Sequence, residues 1–73
     1  MKPKKPTLAM AKALFKRRNA GIKFKAEWQL KPRFSEGWDG KTPSWTSQVT
    51  FSSEGHKPVT MRLYSDRAGL TLF

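Results

Sequence analysis

From Leu8 onward the apolar side chains Leu8, Ala11, Leu14 and Phe15 recur at three- and four-residue intervals, which stacks them on one side of a helix. Thr7 precedes them with a hydroxyl that can accept a hydrogen bond from a free first-turn N–H, and Asn19-Ala20-Gly21 supplies a stop. This predicts an amphipathic helix over residues 7–19. After Gly21 the interval drops to two, with Ile22, Phe24, Ala26, Trp28 and Leu30 on one face and Lys23, Lys25, Glu27, Gln29 and Lys31 on the other. That alternation predicts a half-buried strand. Residues 32–44 contain Pro32, Gly37, Gly40 and Pro43, punctuation dense enough to predict a loop with a turn at Asp39-Gly40.

Two more alternations follow. Trp45, Ser47, Val49 and Phe51 interleave with Thr46, Gln48 and Thr50, and Val59, Met61 and Leu63 interleave with Thr60, Arg62 and Tyr64. The short Ser52-Ser53-Glu54-Gly55 connection between them predicts an antiparallel hairpin, and Asp66-Arg67-Ala68-Gly69 predicts a further turn into a short strand over Leu70 to Phe73. The expected fold class is α+β: one N-terminal amphipathic helix packed on a three- to four-stranded antiparallel sheet. Its expected core is Leu8, Ala11, Leu14, Phe15, Ile22, Phe24, Trp28, Leu30, Val49, Phe51, Val59, Met61, Leu63 and Leu72.

A chain of 73 residues makes one domain and buries too little apolar surface for both a core and a deep catalytic cleft. With no cysteine, disulfides, thiolate nucleophiles and Cys-type zinc sites are all excluded. Residues 1–6, Met-Lys-Pro-Lys-Lys-Pro, have almost nothing to bury and are expected to form a flexible basic arm, leaving residues 7–73 as a single small domain. Lys12 breaks the apolar run from Leu8 to Phe15, and Lys16, Arg17 and Arg18 follow it, which fits neither a signal-peptide core nor a membrane span. A cytoplasmic monomer of a bacterial or phage-infected cell is expected, with no membrane, cofactor or small-molecule substrate.

Charge changes the picture most. Lys2, Lys4, Lys5, Lys12, Lys16, Arg17, Arg18, Lys23 and Lys25 all precede the first acidic residue, Glu27. Beyond residue 26 the cations Lys31, Arg33, Lys41, Lys57, Arg62 and Arg67 are nearly matched by Glu27, Glu36, Asp39, Glu54 and Asp66, so the net charge of +10 belongs to the leading segment. No acidic residue there can form the usual helix ion pairs, and the cations only repel one another. Charge concentrated in this way attracts polyanions and holds them by counterion release. Lys4, Lys5, Lys12, Lys16, Arg17, Arg18, Lys23 and Lys25 are therefore the expected nucleic-acid-binding residues, with Lys31, Arg62 and Tyr64 joining Lys23 and Lys25 on a weaker surface opposite the helix.

Catalytic readings find little support. His56 is the only histidine and sits in a Gly-His-Lys-Pro turn, so no metal site with two His ligands exists. Glu36 and Asp39 form a carboxylate pair in a Gly/Pro loop that promises no dry wall to raise either pKa. Gly40-Lys41-Thr42 mimics the end of a phosphate-binding loop, but Ser35 stands where the motif needs glycine, and a strand follows where it needs a helix. No catalytic residue, metal ligand or cofactor is expected.

Phe34 and Trp38 lie in the predicted loop beside Arg33 and Lys41, and aromatics flanked by cations stack bases or anchor protein interfaces. Arg33, Phe34 and Trp38 are accordingly expected at a protein interface, against the alternative that the loop folds them back over the sheet. In its size, lack of cysteine and basic start from Lys2 to Arg18, the chain resembles small phage-encoded proteins that bind host RNA polymerase and alter initiation or termination. The resemblance implies a non-catalytic protein docked on RNA polymerase or an associated factor, close to nucleic acid, that regulates transcription. Two other readings compete with it: a direct, sequence-independent DNA- or RNA-binding protein of architectural or ribosome-associated type, and a phage anti-defence inhibitor that occludes a nucleic-acid-binding complex.

Overall fold

The computed structural model describes residues 3–37 and 39–73. A single helix, α1 (Leu8–Arg18), precedes four strands, β1 (Lys25–Ser35), β2 (Ser44–Ser52), β3 (Val59–Asp66) and β4 (Gly69–Leu72), which form one antiparallel sheet in the order β1-β2-β3-β4. The expected α+β arrangement of a helix with a four-stranded antiparallel sheet is observed.

The helix ends follow from local chemistry. The Thr7 hydroxyl accepts a hydrogen bond from the Met10 N–H at 3.3 Å, and Asn19 closes the other end with its backbone N–H and its side-chain amide both donating to the Phe15 carbonyl, at 3.0 and 3.1 Å. Lys16, Arg17 and Arg18 in the last turn suit the negative end of the helix dipole.

Leu8, Ala11, Leu14 and Phe15 face the sheet as their spacing predicts, with Ala11 fully buried. The Phe15 ring stacks on Phe51 at a centroid distance of 4.1 Å, and Phe24 meets Phe15 edge-on at 4.6 Å and Phe51 at 5.7 Å. Val49, Phe51, Leu63 and Leu72 complete the buried set beneath the helix, with Trp28, Ala26, Met61 and Leu70 packed around it. Ser47 is buried among them, and its hydroxyl donates to the Leu63 carbonyl at 2.9 Å.

Strand β1 departs from the expected alternation in three ways. It begins at Lys25 rather than Ile22, because Ile22 closes a turn onto the Asn19 carbonyl and remains exposed. It runs on to Ser35, so Arg33 and Phe34 are strand residues rather than loop residues. Pro32 is tolerated there because β1 is an edge strand and the pairing register shifts between Leu30 and Arg33. A second register shift, between Trp28 and Leu30, turns Leu30 to the helix-free face, where it is 39% exposed instead of joining the core. Val59, at the start of β3, is likewise exposed rather than buried.

The segment before the helix is also tied down. Trp45 Nε1 donates to the Pro3 carbonyl at 3.1 Å, Ser65 Oγ donates to the Lys4 carbonyl at 2.9 Å, and Pro6 is fully buried. Residues 3–6 thus lie against the sheet, which corrects the expectation of a free arm for these four positions. Two backbone carbonyls find sheet donors, and one proline ring finds an apolar bed. Met1 and Lys2 lie outside the described residues.

Phe51 is buried and meets both of the other rings of the cluster, Phe15 and Phe24. Truncating a buried Phe to Ala removes about 3–5 kcal/mol, as much as a core of this size supplies in total. Phe51→Ala is expected to abolish the cooperative thermal transition and near-UV circular dichroism; a variant that still melts cooperatively within a few degrees of wild type would contradict this account.

Candidate nucleic-acid interface

The direction of α1 decides where its charges go. Leu8 lies beside Trp28 and Pro32, well along β1, whereas Phe15 meets Phe24 just before its start, so the helix runs antiparallel to β1. Its C-terminal turn, with Lys16, Arg17 and Arg18, is thereby carried to the end of the sheet where β1 begins and the β2–β3 hairpin turns. Lys23 and Lys25 stand at that same end, lining a shallow groove with Phe24, Ser52, Ser53 and Glu54. Lys57, in the hairpin connection between Ser52 and Val59, belongs to the same pole and was not singled out from the sequence. Periodicity predicted both helix and hairpin but could not orient one relative to the other, so no local signal identified it.

Every member of this set is solvent-exposed, as is Lys12 one helical turn before Lys16 on the outward side of α1. Among the described residues lining the groove, Glu54 is the one acidic side chain.

Lys4 and Lys5 are separated from the rest. Their segment is bonded to Trp45 and Ser65, and Trp45 sits at the opposite end of β2 from Phe51, roughly 20 Å away at about 3.3 Å per residue. The Lys5 ammonium lies 5.9 Å from the centre of the Trp45 ring, a cation–π contact. Seen along the 43 Å long axis of the molecule, exposed cations run from Lys4 and Lys5 at one end, over Lys12 at the middle, to the dense pole at the other.

The expected protein-interface residues are placed differently. Phe34 is half-buried and packs edge-on against Trp45, with ring centroids 5.2 Å apart, while Arg33 projects from the helix-free side opposite Thr46. Trp38 lies outside the described residues.

Near Phe34, the loop between β1 and β2 is knitted by its own polar groups. Asp39 Oδ1 accepts from the Lys41 N–H at 2.9 Å, and the Thr42 hydroxyl donates to both carboxylate oxygens, at 3.1 and 3.0 Å. Gly37 has φ +83°, and a Cβ there would meet the Thr42 carbonyl at 3.0 Å, so only glycine fits. The Lys41 amide first and the Thr42 hydroxyl second hold the Asp39 carboxyl below the usual aspartate range, opposite to the shift a general acid needs. Among the described residues no group of three His, Cys, Asp or Glu side chains could hold a metal ion.

An apolar groove of about 570 Å³ opens beside the helix N-terminus, lined by Pro6, Leu8, Trp28 and Pro32 with Lys5 and Lys31 at its rim. Among the described residues no helix is long and apolar enough to cross a membrane. The sequence matches no protein-family model, and no significant similarity to a curated protein or to a solved structure was found.

Because the folded Asp39 carboxyl is lowered, its contribution to loop stability is present above the ordinary aspartate range and is lost as pH falls through the lowered value. In an NMR titration the Lys41 and Thr42 amide resonances should move together on acidification, with a midpoint below that of an unstructured aspartate. A midpoint at or above the ordinary value would contradict the hydrogen-bonded arrangement.

Proposed function

We propose that this protein is a non-catalytic nucleic-acid-binding module that holds phosphate backbone along the outward side of α1 and the cationic pole beyond its C-terminus. The observation that carries this reading is the convergence of Lys16, Arg17, Arg18, Lys23, Lys25 and Lys57 at one end of the molecule, all exposed, with Lys12 leading towards them along the helix. Uncompensated like charges repel across such a surface, and that repulsion is relieved when a polyanion displaces its own counterions onto the solvent. No base-reading geometry is required, so the contact is positional and tolerant of sequence. The reading places the protein where nucleic acid is handled, in a bacterial or phage-infected cytoplasm.

Five phosphate contacts on duplex DNA give a slope of log affinity against log salt of about −4.5, from about −0.9 per contact. Replacing Lys12 and Lys16 together with alanine is expected to flatten that slope by about 2 while leaving the melting temperature unchanged, because both side chains point to solvent. Fluorescence anisotropy across a salt series measures it. An unchanged slope and affinity would remove α1 from the interface.

The apolar groove at the other end of the helix favours a second reading, in which the bound module also docks on RNA polymerase or an associated factor and so regulates transcription. An aromatic and two prolines edged by lysines form a surface suited to a protein segment with acidic flanks. Lys31→Glu should then weaken co-elution with purified bacterial RNA polymerase without altering duplex affinity, and wild-type protein that does not co-elute with polymerase would exclude this reading.

A further inference from the structure

The side of the sheet turned away from α1 carries a second surface that the cationic pole does not explain. Strand register lays its side chains out in two adjacent cross-strand rows. Leu30, Gln48 and Arg62 stand in line across β1, β2 and β3, and Phe73 extends that row because its backbone exchanges both hydrogen bonds with Arg62, at 2.6 and 2.9 Å. In the next row Arg33, Thr46, Tyr64 and Thr71 are aligned across all four strands. Among the described residues no helix covers either row.

The composition of these rows is unusual for a merely solvated face. Phe73 is 57% exposed, Leu30 is turned out by a register shift, and Tyr64 is half-buried between threonines. Arg33 and Arg62, one in each row, are both exposed. Tyr64 and Phe73 are diagonal neighbours on adjacent strands, which separates them by about 7–8 Å. A duplex stacks its bases about 3.4 Å apart and hides their π-faces, so rings spaced this widely can receive only bases that have been splayed out of a stack.

We propose that this face is a stacking platform for a single-stranded nucleic acid. Tyr64 and Phe73 each take one unstacked base, the guanidinium groups of Arg33 and Arg62 meet the adjoining phosphates, and Thr46, Gln48 and Thr71 offer hydrogen bonds to base edges. The exposed Phe73 ring beside the half-buried Tyr64, with an exposed arginine in each row, chooses this occupant over an apolar protein surface, which would leave both guanidinium groups without partners. The inference deepens the nucleic-acid reading but uses a different face, so the two stand or fall separately.

Fluorescence anisotropy with an end-labelled strand of about 12 nucleotides, as RNA and as DNA, and with the matching DNA duplex, tests it. Tyr64→Ala and Phe73→Ala should each weaken single-strand binding on the order of ten-fold while duplex affinity stays within about two-fold, and Tyr64→Phe, which keeps the ring, should restore single-strand binding. Ultraviolet cross-links from a bound strand should map to Tyr64 and Phe73. Single-strand affinity that ignores both substitutions, equal losses for strand and duplex, or cross-links confined to residues 12–25 would overturn the platform while leaving the cationic pole intact. A concentration-dependent dimer in sedimentation that Phe73→Ala dissolves would also overturn it, by giving the face to a second copy. Loss of duplex binding alone, with the ring effects preserved, would instead overturn the preceding reading and leave the platform standing.

Discussion

The contact on which everything else depends is the stack of Phe15 on Phe51, with Phe24 closing its edge. It clamps α1 to the sheet, and its position near one end of β2 sets how the helix lies. One helix is about 10 Å across, whereas four strands at about 4.8 Å spacing make a sheet wider than that, so α1 can close only a single face. The opposite face has to live in water. Its threonines and glutamines follow from that constraint, as does the polar ladder in which the Thr50 hydroxyl meets Thr60 at 3.0 Å and Gln29 at 3.4 Å.

The same clamp organises the charge. Had the helix been anchored in the reverse direction, Lys16, Arg17 and Arg18 would have faced Lys4, Lys5 and the Trp45 end, and the molecule would carry a diffuse positive surface. Anchored as it is, the helix C-terminus and the β2–β3 hairpin superimpose two separate stretches of sequence into one pole. Glu54 lies within that pole, but two other carboxylates are held away from it: Asp39 is committed to the tip of the β1–β2 loop, and Asp66 accepts from the Ala68 N–H at the β3–β4 turn. The resulting asymmetry is tertiary in origin, built from short-range rules that each act locally.

Helix, hairpins and most of the core were legible because each rests on a periodicity that survives folding unchanged. Thr7 caps the helix as its residue type suggests, and Val49, Phe51 and Leu63 point inward as their alternation requires. What periodicity could not reveal is where a strand slips by one residue. Pro32 argued for a loop, yet at the sheet edge its missing N–H deprives no neighbour, and two register shifts let β1 continue through it. Those shifts reassigned Leu30 and converted Arg33 and Phe34 from loop to strand. The basic character of the helix was likewise legible only in kind: the count of cations came from composition, but the exclusion of Lys4 and Lys5 from the main pole came from two hydrogen bonds to distant Trp45 and Ser65.

The irregular course of β1 has a bearing on how the protein behaves in crowded solution. An edge strand ordinarily offers a regular row of donors and acceptors to any passing chain. Here one margin of the sheet is interrupted by a proline and two misaligned stretches, and the other ends in a strand of only four residues. Neither margin presents a template long enough for a foreign strand to zip onto, so a protein rich in sheet remains guarded against fibrillar growth.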